Sequence, residues 1–299
     1  MRIGIDLGGT KIAGVALDLA GGELASIRTA TPRGDYEATI LAVRDLVQAL
    51  ERRASRSGTV GIGMPGTMSG ATGLVKNANS TWLIGRPFQA DVERALGRPV
   101  RLANDANCFA LSEATDGAAS RARVAFGVIL GTGTGGGVVV DRRVWEGPNG
   151  IAGEWGHNPL PWPEPDEWPG EACYCGRTGC VETFLSGPGM AGDHLRRTGE
   201  SLTARAIHER ARAGDRDARD TLNRYAARLA KALAVVINIL DPDVIVLGGG
   251  LSEVDEWYDA VPRLWGRFVF SDTVRTELVR AQYGAASGVR GAAWLWNAE

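Results

Sequence analysis

The sequence contains the same short pattern twice: an apolar strand, a glycine-rich turn and a second apolar strand. The first copy runs from Arg2 to Leu17 around Gly8-Gly9-Thr10, and the second runs from Val124 to Val140 around residues 131–136. Between them lie stretches with helical apolar spacing, such as Tyr36–Arg53. Strands that alternate with helices are typical of α/β proteins, and 299 residues suit two domains of ordinary size.

Further elements follow from the same patterns. The sequence predicts strands and helices over these ranges: strands at Val60–Gly63, Val100–Ala103 and Val244–Leu247, and helices at Ala106–Ala114, from Thr221 to the break at Asp241-Pro242-Asp243, and at Val289–Trp296. A stretch rich in tryptophan and proline, from Trp155 to Pro169, predicts an irregular loop.

Composition excludes several classes of function. The chain is 44% hydrophobic and 23% charged, as expected for a globular protein. Its net charge of −2 shows no block of like charges, which argues against nucleic acid as a partner. We find no apolar run long enough to cross a membrane and no signal peptide at the N-terminus. Three of the four cysteines fall within eight residues, unlike a secreted disulfide framework, so we expect a cytoplasmic protein.

Three glycine turns follow apolar strands and could bind phosphate. Glycine leaves no Cβ in the way, so backbone N–H groups can point at an anion; each turn taken alone could equally be a hairpin. Residues 61–66 and 131–136 also match the dinucleotide-binding spacing, but neither runs into a helix, and no Walker A motif occurs. We therefore exclude a nicotinamide site and a P-loop enzyme. The predicted nucleotide-binding residues are Asp6, Gly8, Gly9, Thr10, Lys11, Gly131, Thr132, Gly133, Thr134, Gly135, Gly136, Gly137, Gly248 and Gly249.

The first turn carries the most specific chemistry. Asp6 stands inside an apolar strand, and Thr10 and Lys11 follow the glycines. A carboxylate, a hydroxyl and an ammonium group together suit a magnesium–phosphate complex, in which the carboxylate holds Mg²⁺ directly or through water. A charged hairpin tip would explain Lys11 but not Asp6.

Asp105 is the candidate catalytic base. It lies between a predicted strand and a predicted helix, where a helix N-cap is the simpler explanation. Ligands of α/β proteins also bind at the carboxyl ends of strands. A kinase needs one carboxylate to orient and deprotonate the attacking hydroxyl, and the phosphate turns elsewhere in the chain favour that role.

Three cysteines and one histidine predict a structural zinc site. Cys173, Cys175 and Cys180 follow His157 closely, and Gly176 and Gly179 permit a tight knuckle between the cysteines. Four protein ligands leave no open coordination position, so the predicted Zn²⁺ is structural. The alternative is a cluster of free thiols.

With these motifs the sequence resembles the bacterial ROK family of sugar kinases, which is named for repressor, open reading frame and kinase. The resemblance lies in residues 6–11, 104–107, 153–157, 173–182 and 288–293. The stretches at 76–83, 154–162 and 287–294 look most like the fructokinase branch, also called manno(fructo)kinase. The family's repressors carry a helix-turn-helix ahead of the first strand, which here starts at Arg2.

The resemblance implies an α/β, actin-like (ribonuclease H-like) ATPase fold of two domains with a cleft between them. We expect domains at residues 1–115 and 116–288, with a C-terminal helix over about 289–299 packing onto the first. It implies ATP and Mg²⁺ at the glycine turns, Asp105 as the base for the sugar 6-hydroxyl, and a homodimer. The implied sugar-binding residues are Gly66, Asn79, Asn104, Asp105, Glu154, His157 and Glu182.

Three functions remain open from the sequence. The first is a fructokinase that makes fructose 6-phosphate, with mannose or glucose as secondary substrates. The second is a glucokinase or N-acetylhexosamine kinase. The third is a sugar sensor without catalysis, which the retention of Asp6 and Asp105 disfavours.

Overall fold

The computed structural model describes residues 1–78 and 80–296, which form two compact units. Unit 1 holds residues 1–121, 137–152 and those described from 282 onward, and unit 2 holds residues 122–136 and 153–281. Asn79, a predicted sugar-binding residue, lies outside the described residues, as do positions 297–299 of the expected last helix. The predicted domain boundary between residues 115 and 116 stays a prediction.

Strands and helices alternate along much of the chain. The strands are β1 Arg2–Leu7, β2 Lys11–Leu17, β3 Glu23–Ala30, β4 Thr59–Met64, β5 Thr67–Met68, β6 Val75–Lys76, β7 Val100–Asn104, β8 Val124–Leu130, β9 Thr134–Val140, β10 Arg143–Val144, β11 Val244–Gly248 and β12 Glu277–Arg280. The helices are α1 Tyr36–Ala54, α2 Phe88–Leu96, α3 Asp105–Thr115, α4 Val181–Leu185, α5 Gly187–Thr198, α6 Ala204–Arg212, α7 Arg216–Leu240, α8 Trp257–Trp265 and α9 Ser287–Trp294.

Each copy of the repeated pattern contributes strands to a five-stranded sheet. The first sheet has the order β3-β2-β1-β4-β7, in which β1, β4 and β7 are parallel and β1–β2–β3 form an antiparallel meander. The second has the order β10-β9-β8-β11-β12, with β8, β11 and β12 parallel. Parallel strands place their carboxyl ends at one edge, which is where α/β folds bind ligands.

Helix α9 completes the packing of the first sheet in unit 1. A Cβ on Gly4 would lie 2.0 Å from the Val289 carbonyl oxygen, and one on Gly61 would lie 1.9 Å from the Ala292 carbonyl oxygen. Glycine therefore lets β1 and β4 approach the helix backbone directly.

The buried carboxylate of Glu113 in α3 anchors the chain at the start of α9. It accepts hydrogen bonds from the Gln282 and Tyr283 amides and from the Ser287 hydroxyl. With a fourth bond, from the Ala118 amide at 2.9 Å, they satisfy a carboxylate that is fully removed from solvent.

Several predicted elements match the structure and others differ for physical reasons. Strands β1 and β8 have the predicted bounds, and α1 is one residue longer than predicted. Helix α7 begins at Arg216, earlier than the predicted Thr221, because Asp215 caps a first turn that is polar. The predicted turn at residues 131–136 is shorter, because β9 already begins at Thr134.

Candidate active site

Unit 1 brings three predicted site segments to one edge of its sheet. In the parallel register Asp6 of β1 pairs with Gly63 of β4, and Met64 of β4 pairs with Asn104 of β7. Asp6, the loop that follows β4 and the Asn104-Asp105 pair therefore stand at the carboxyl ends of neighbouring strands.

The first glycine turn closes the β1–β2 hairpin beside Asp6. The Gly8 amide donates to the Lys11 carbonyl oxygen at 3.0 Å, while Gly9, Thr10 and Lys11 are exposed. Burial and, after it, the negative charge of Asp105 raise the pKa of Asp6, whereas Lys11 lowers it, and the pKa that results is about 6. A buried carboxylate next to a second carboxylate is an arrangement that a bound cation would stabilise.

Asp105 is the first residue of α3, and Asn104 caps the helix. The Asn104 side chain accepts from the Ala106 and Asn107 amides at 2.8 and 3.4 Å. The alternative of Asp105 as N-cap is therefore wrong. One oxygen of Asp105 accepts from the Ala106 amide at 2.8 Å. Although the side chain is solvent-accessible, protein atoms crowd around it, and this desolvation raises its pKa.

Two predicted glycines in unit 1 have structural reasons to be glycine. Gly66 has φ of 79°, and a Cβ there would lie 2.5 Å from the Lys76 carbonyl oxygen. Gly137 lies against the first turn of α3, where a Cβ would be 2.8 Å from the Ala106 carbonyl oxygen. A cavity of about 470 Å³ opens beside Asn104, at the carboxyl end of β7.

Unit 2 places the other two glycine turns next to each other. Strands β8 and β11 are parallel neighbours, and Gly248 pairs with Ile129. The turns at Gly131 and Gly249 therefore leave the same edge of the second sheet. Gly249 has φ of 80°, and a Cβ there would lie 2.3 Å from the Leu130 carbonyl oxygen, so only glycine fits between these strand ends.

The predicted zinc ligands converge in unit 2. One ligand atom each from His157, Cys173, Cys175 and Cys180 all lie within 4.8 Å of one another. The Cys175 and Cys180 sulfurs are 3.6 Å apart, and the Cys173 sulfur is 3.6 Å from His157 Nδ1. A tetrahedral zinc ion with Zn–S bonds of about 2.3 Å would hold two sulfurs about 3.8 Å apart. The donor set and its spacing thus fit Zn²⁺.

The surroundings of the cluster also suit a metal. His157 Nε2 lies 3.0 Å from the Tyr174 hydroxyl, which leaves Nδ1 free to bind the ion. In metal sites the second ring nitrogen of a ligating histidine commonly has such a hydrogen-bond partner. Burial raises the pKa of the Cys180 thiol to about 12, so a nearby cation is what would make it a thiolate.

Glu154 and Glu182, both predicted sugar-binding residues, lie close to this cluster. Their negative charges both act on Tyr174, whose pKa is raised to about 12, first by burial and then by Glu182. Glu154 is exposed and directly precedes the short 3₁₀ turn Trp155–His157. Glu182 is half-buried, and its carboxylate accepts a hydrogen bond from the Thr134 amide at 2.9 Å.

The loop that carries His157 is held by buried charges that sequence analysis missed. Arg228 of α7 pairs with Glu167 at 2.7 Å and with Asp193 of α5 at 3.0 Å, and all three side chains are buried. Lys231, one helical turn further along α7, bonds Glu164 at 3.0 Å. The signal was available, since Arg228 and Lys231 interrupt the otherwise apolar buried face of α7.

Comparisons with known proteins cover the chain from one end to the other. Residues 2–299 match the ROK family. A protein named N-acetyl-D-glucosamine kinase from Pectobacterium atrosepticum is 38% identical over 299 residues, which are 99% of this chain and 98% of that relative.

Two solved structures also align over nearly the full length. The ROK hexokinase of Thermus thermophilus has a TM-score of 0.87 at 33% identity and covers 98% of this chain and 97% of its own. A ROK family glucokinase from Streptomyces griseus, solved with glucose and AMPPNP, has a TM-score of 0.76 at 29% identity and covers the same shares, 98% and 97%. These likenesses confirm the predicted actin-like ATPase fold. Among the described residues, no helix is both long and apolar enough to cross a membrane.

Proposed function

Because the chain belongs to the ROK family and is a sugar kinase, we propose that it transfers the γ-phosphoryl group of ATP to N-acetyl-D-glucosamine. The observation that carries this proposal is the relative of that name, 38% identical over 99% of this chain. The fructose preference expected from the sequence finds no support in the comparisons, which favour the N-acetylhexosamine alternative.

Asp105 would be the general base. In this proposal its carboxylate takes the proton of the sugar 6-hydroxyl while that oxygen attacks the γ-phosphorus and ADP leaves. The upward shift of its pKa makes Asp105 a stronger base than an ordinary aspartate, which helps proton abstraction near neutral pH. Its place at the start of α3, capped by Asn104, holds the carboxylate in a fixed direction.

The glycine turns would hold the nucleotide. ATP and Mg²⁺ are implied by the kinase activity, and bound Mg²⁺ neutralises charge on the phosphates during transfer. Asp6 fits a magnesium ligand because it is a largely buried carboxylate, with a raised pKa, beside the open turn Gly9–Lys11. The exposed residues Thr132, Gly249 and Gly250 would present their backbone N–H groups to the phosphates, whereas the Gly131 amide already donates to the Gly133 carbonyl oxygen at 3.0 Å.

The sugar would be bound by residues that the family resemblance indicates. We propose Gly66, Asn79, Asn104, Glu154, His157 and Glu182 as its contacts, as the family resemblance implies. The cavity of about 470 Å³ beside Asn104 includes Met64 and Met68 in its lining, and such apolar side chains suit the methyl group of an acetamido substituent. We further propose that the Cys₃His cluster binds structural Zn²⁺ and that the protein is a homodimer.

A sugar panel tests the substrate. ADP release would be measured with N-acetylglucosamine, N-acetylmannosamine, glucose, mannose and fructose at matched concentrations. We expect the highest kcat/KM with N-acetylglucosamine. A higher kcat/KM with fructose would restore the fructokinase prediction, and no turnover with any of the five would favour a sugar sensor. Size-exclusion chromatography with light scattering tests the homodimer, whose measured mass should be twice that of one chain.

A further inference from the structure

The turn at residues 131–136 is fixed by groups that come from later in the chain. The Gly187 amide donates to the Gly131 carbonyl oxygen at 2.7 Å, and the Trp155 indole N–H donates to the Gly135 carbonyl oxygen at 3.0 Å. The third bond is that of the Thr134 amide to the Glu182 carboxylate at 2.9 Å. All of these groups belong to unit 2.

Gly187, Trp155 and Glu182 are the three anchors of this turn. Two of them, Trp155 and Glu182, stand two residues from a predicted zinc ligand. Trp155 opens the 3₁₀ turn that ends at His157. Cys180 is the N-cap of α4, and Glu182 lies in the first turn of that helix. Any shift of His157 or Cys180 therefore moves an anchor of the glycine turn through a short and rigid piece of chain.

The turn and its anchors pack without free space. A Cβ on Gly133 would lie 2.6 Å from a Glu182 carboxylate oxygen, and one on Gly136 would lie 2.8 Å from Trp155 Cδ1. A Cβ on Gly156 would lie 2.1 Å from the Thr134 carbonyl oxygen. Since close-packed backbone transmits small displacements, the turn must follow the anchors.

We propose that the metal ion bound by the Cys₃His cluster positions the 131–136 turn through Trp155 and Glu182. The inference rests on the proposed function, in which this turn binds the phosphates of ATP. Glu182 is then a positioning residue for the nucleotide as well as a proposed sugar contact. The metal thereby strengthens nucleotide binding, in addition to shaping the loop that carries His157.

Backbone pairing is the competing explanation. The Leu160 amide bonds the Gly179 carbonyl oxygen and the Val181 amide bonds the Asn158 carbonyl oxygen, so the two ligand segments touch without any metal. Such bonds, and that of the Arg177 guanidinium to the His157 carbonyl oxygen at 3.1 Å, add little net stability, because their groups would otherwise bond water. Four metal–ligand bonds are far stronger, so removal of the metal should free the anchors.

Hydrogen exchange of the full-length protein tests the proposal directly. The amides of residues 131–136 would be followed in the Zn²⁺-loaded protein and after chelation, with no sugar present. We expect exchange at least about tenfold faster after chelation, while the Gly8–Lys11 turn in unit 1 changes little. Unchanged protection of residues 131–136 in protein shown to be metal-free would overturn the proposal.

Two variants keep the test valid if the metal-free protein unfolds. With zinc bound, Glu182→Ala removes the acceptor of the Thr134 amide, whereas Glu182→Gln retains a carbonyl oxygen that can accept the same bond. We expect faster exchange at residues 131–136 and AMPPNP binding weakened about three- to tenfold in the Ala variant. The Gln variant should stay near wild type in both. If E182A leaves both measurements unchanged, the proposal is wrong.

These measurements separate this inference from the proposed function. Hydrogen exchange and AMPPNP binding require no turnover and no sugar. If the sugar panel shows no activity but chelation loosens the turn, the kinase assignment fails and the metal-dependent positioning stands.

Discussion

Asp6 lies within the electrostatic influence of Asp105: burial first, and then the negative charge of Asp105, raise the pKa of Asp6 to about 6. The two carboxylates thus share one edge of the first sheet although 98 residues separate them in the sequence, as the positions 6 and 105 show. Repulsion of this kind costs stability in the free protein and is relieved when a cation binds.

Asp6→Asn should stabilise the free protein at neutral pH. The folded-state pKa of Asp6 lies near 6 and its ordinary value is 3.8, so ionisation costs the folded state up to about 3 kcal/mol above pH 6. This cost appears as the pH rises from about 4 to 6 and is absent below 4. Denaturant unfolding without Mg²⁺ should therefore show D6N above wild type at pH 7 and equal to it near pH 4. The exposed Asp45→Asn variant is the control and should show no such pH-dependent gain.

Asp105→Asn should abolish turnover while the protein stays folded. Loss of the general base should lower kcat by about 10²- to 10⁴-fold, whereas the KM for sugar should change little. Because desolvation by the surrounding protein atoms raises the pKa of Asp105, activity in wild type should fall on the acid side at a higher pH than for an ordinary aspartate. If D105N retains kcat within about tenfold of wild type, another group is the base.

Cys175→Ser should lower the zinc content of the purified protein. Wild type should carry about one equivalent of zinc, and C175S less than about half, because one of four ligands is lost. Cys108→Ser is the matched control, since Cys108 lies in unit 1 and is not one of the four clustered ligands, so its replacement should leave the zinc content unchanged. Wild-type protein that contains little zinc and keeps its stability in chelator would contradict the site.

Arg228→Ala should be among the most destabilising substitutions in unit 2. It removes the cation that joins two buried carboxylates, leaving Glu167 with Lys231 at 3.4 Å and Asp193 with Arg224 at 2.8 Å, and breaking a buried ion pair in this way typically costs about 3–5 kcal/mol. Arg263 pairs with Asp259 on the surface of α8, so Arg263→Ala should cost less than about 1 kcal/mol. Urea unfolding of both variants gives the comparison, and equal losses would show that the buried pairs contribute little.

The sequence predicted the elements that have a clear apolar pattern and missed those without one. Strand β1 alternates and is buried, so its bounds were predictable. Strand β3 at the sheet edge is mostly exposed and mixes charged with small residues, and its pattern gives no such signal. The polar first turn of α7 was missed for the same reason, because periodicity detects a buried face and not a cap.

The candidate site was predictable where its ligands are near in sequence. Cysteine spacing alone predicted the convergence of Cys173, Cys175, Cys180 and His157. The bond from Thr134 to Glu182 joins residues 48 positions apart, and no local pattern marks it. The sequence suggests that Gly133 leaves room for a phosphate, whereas in the structure a Glu182 carboxylate oxygen lies 2.6 Å from where its Cβ would be.

The contact of α9 with β1 has a consequence for synthesis on the ribosome. Gly4 of β1 lies against the backbone of Val289 and Ala293, and Glu113 takes its partners from residues 282–287. Strand β1 is therefore packed by a helix that is translated much later, since Val289 follows Gly4 by 285 positions (289 − 4). Part of the apolar surface of unit 1 must stay uncovered until α9 has been translated, and chaperones have the most surface to bind during that interval.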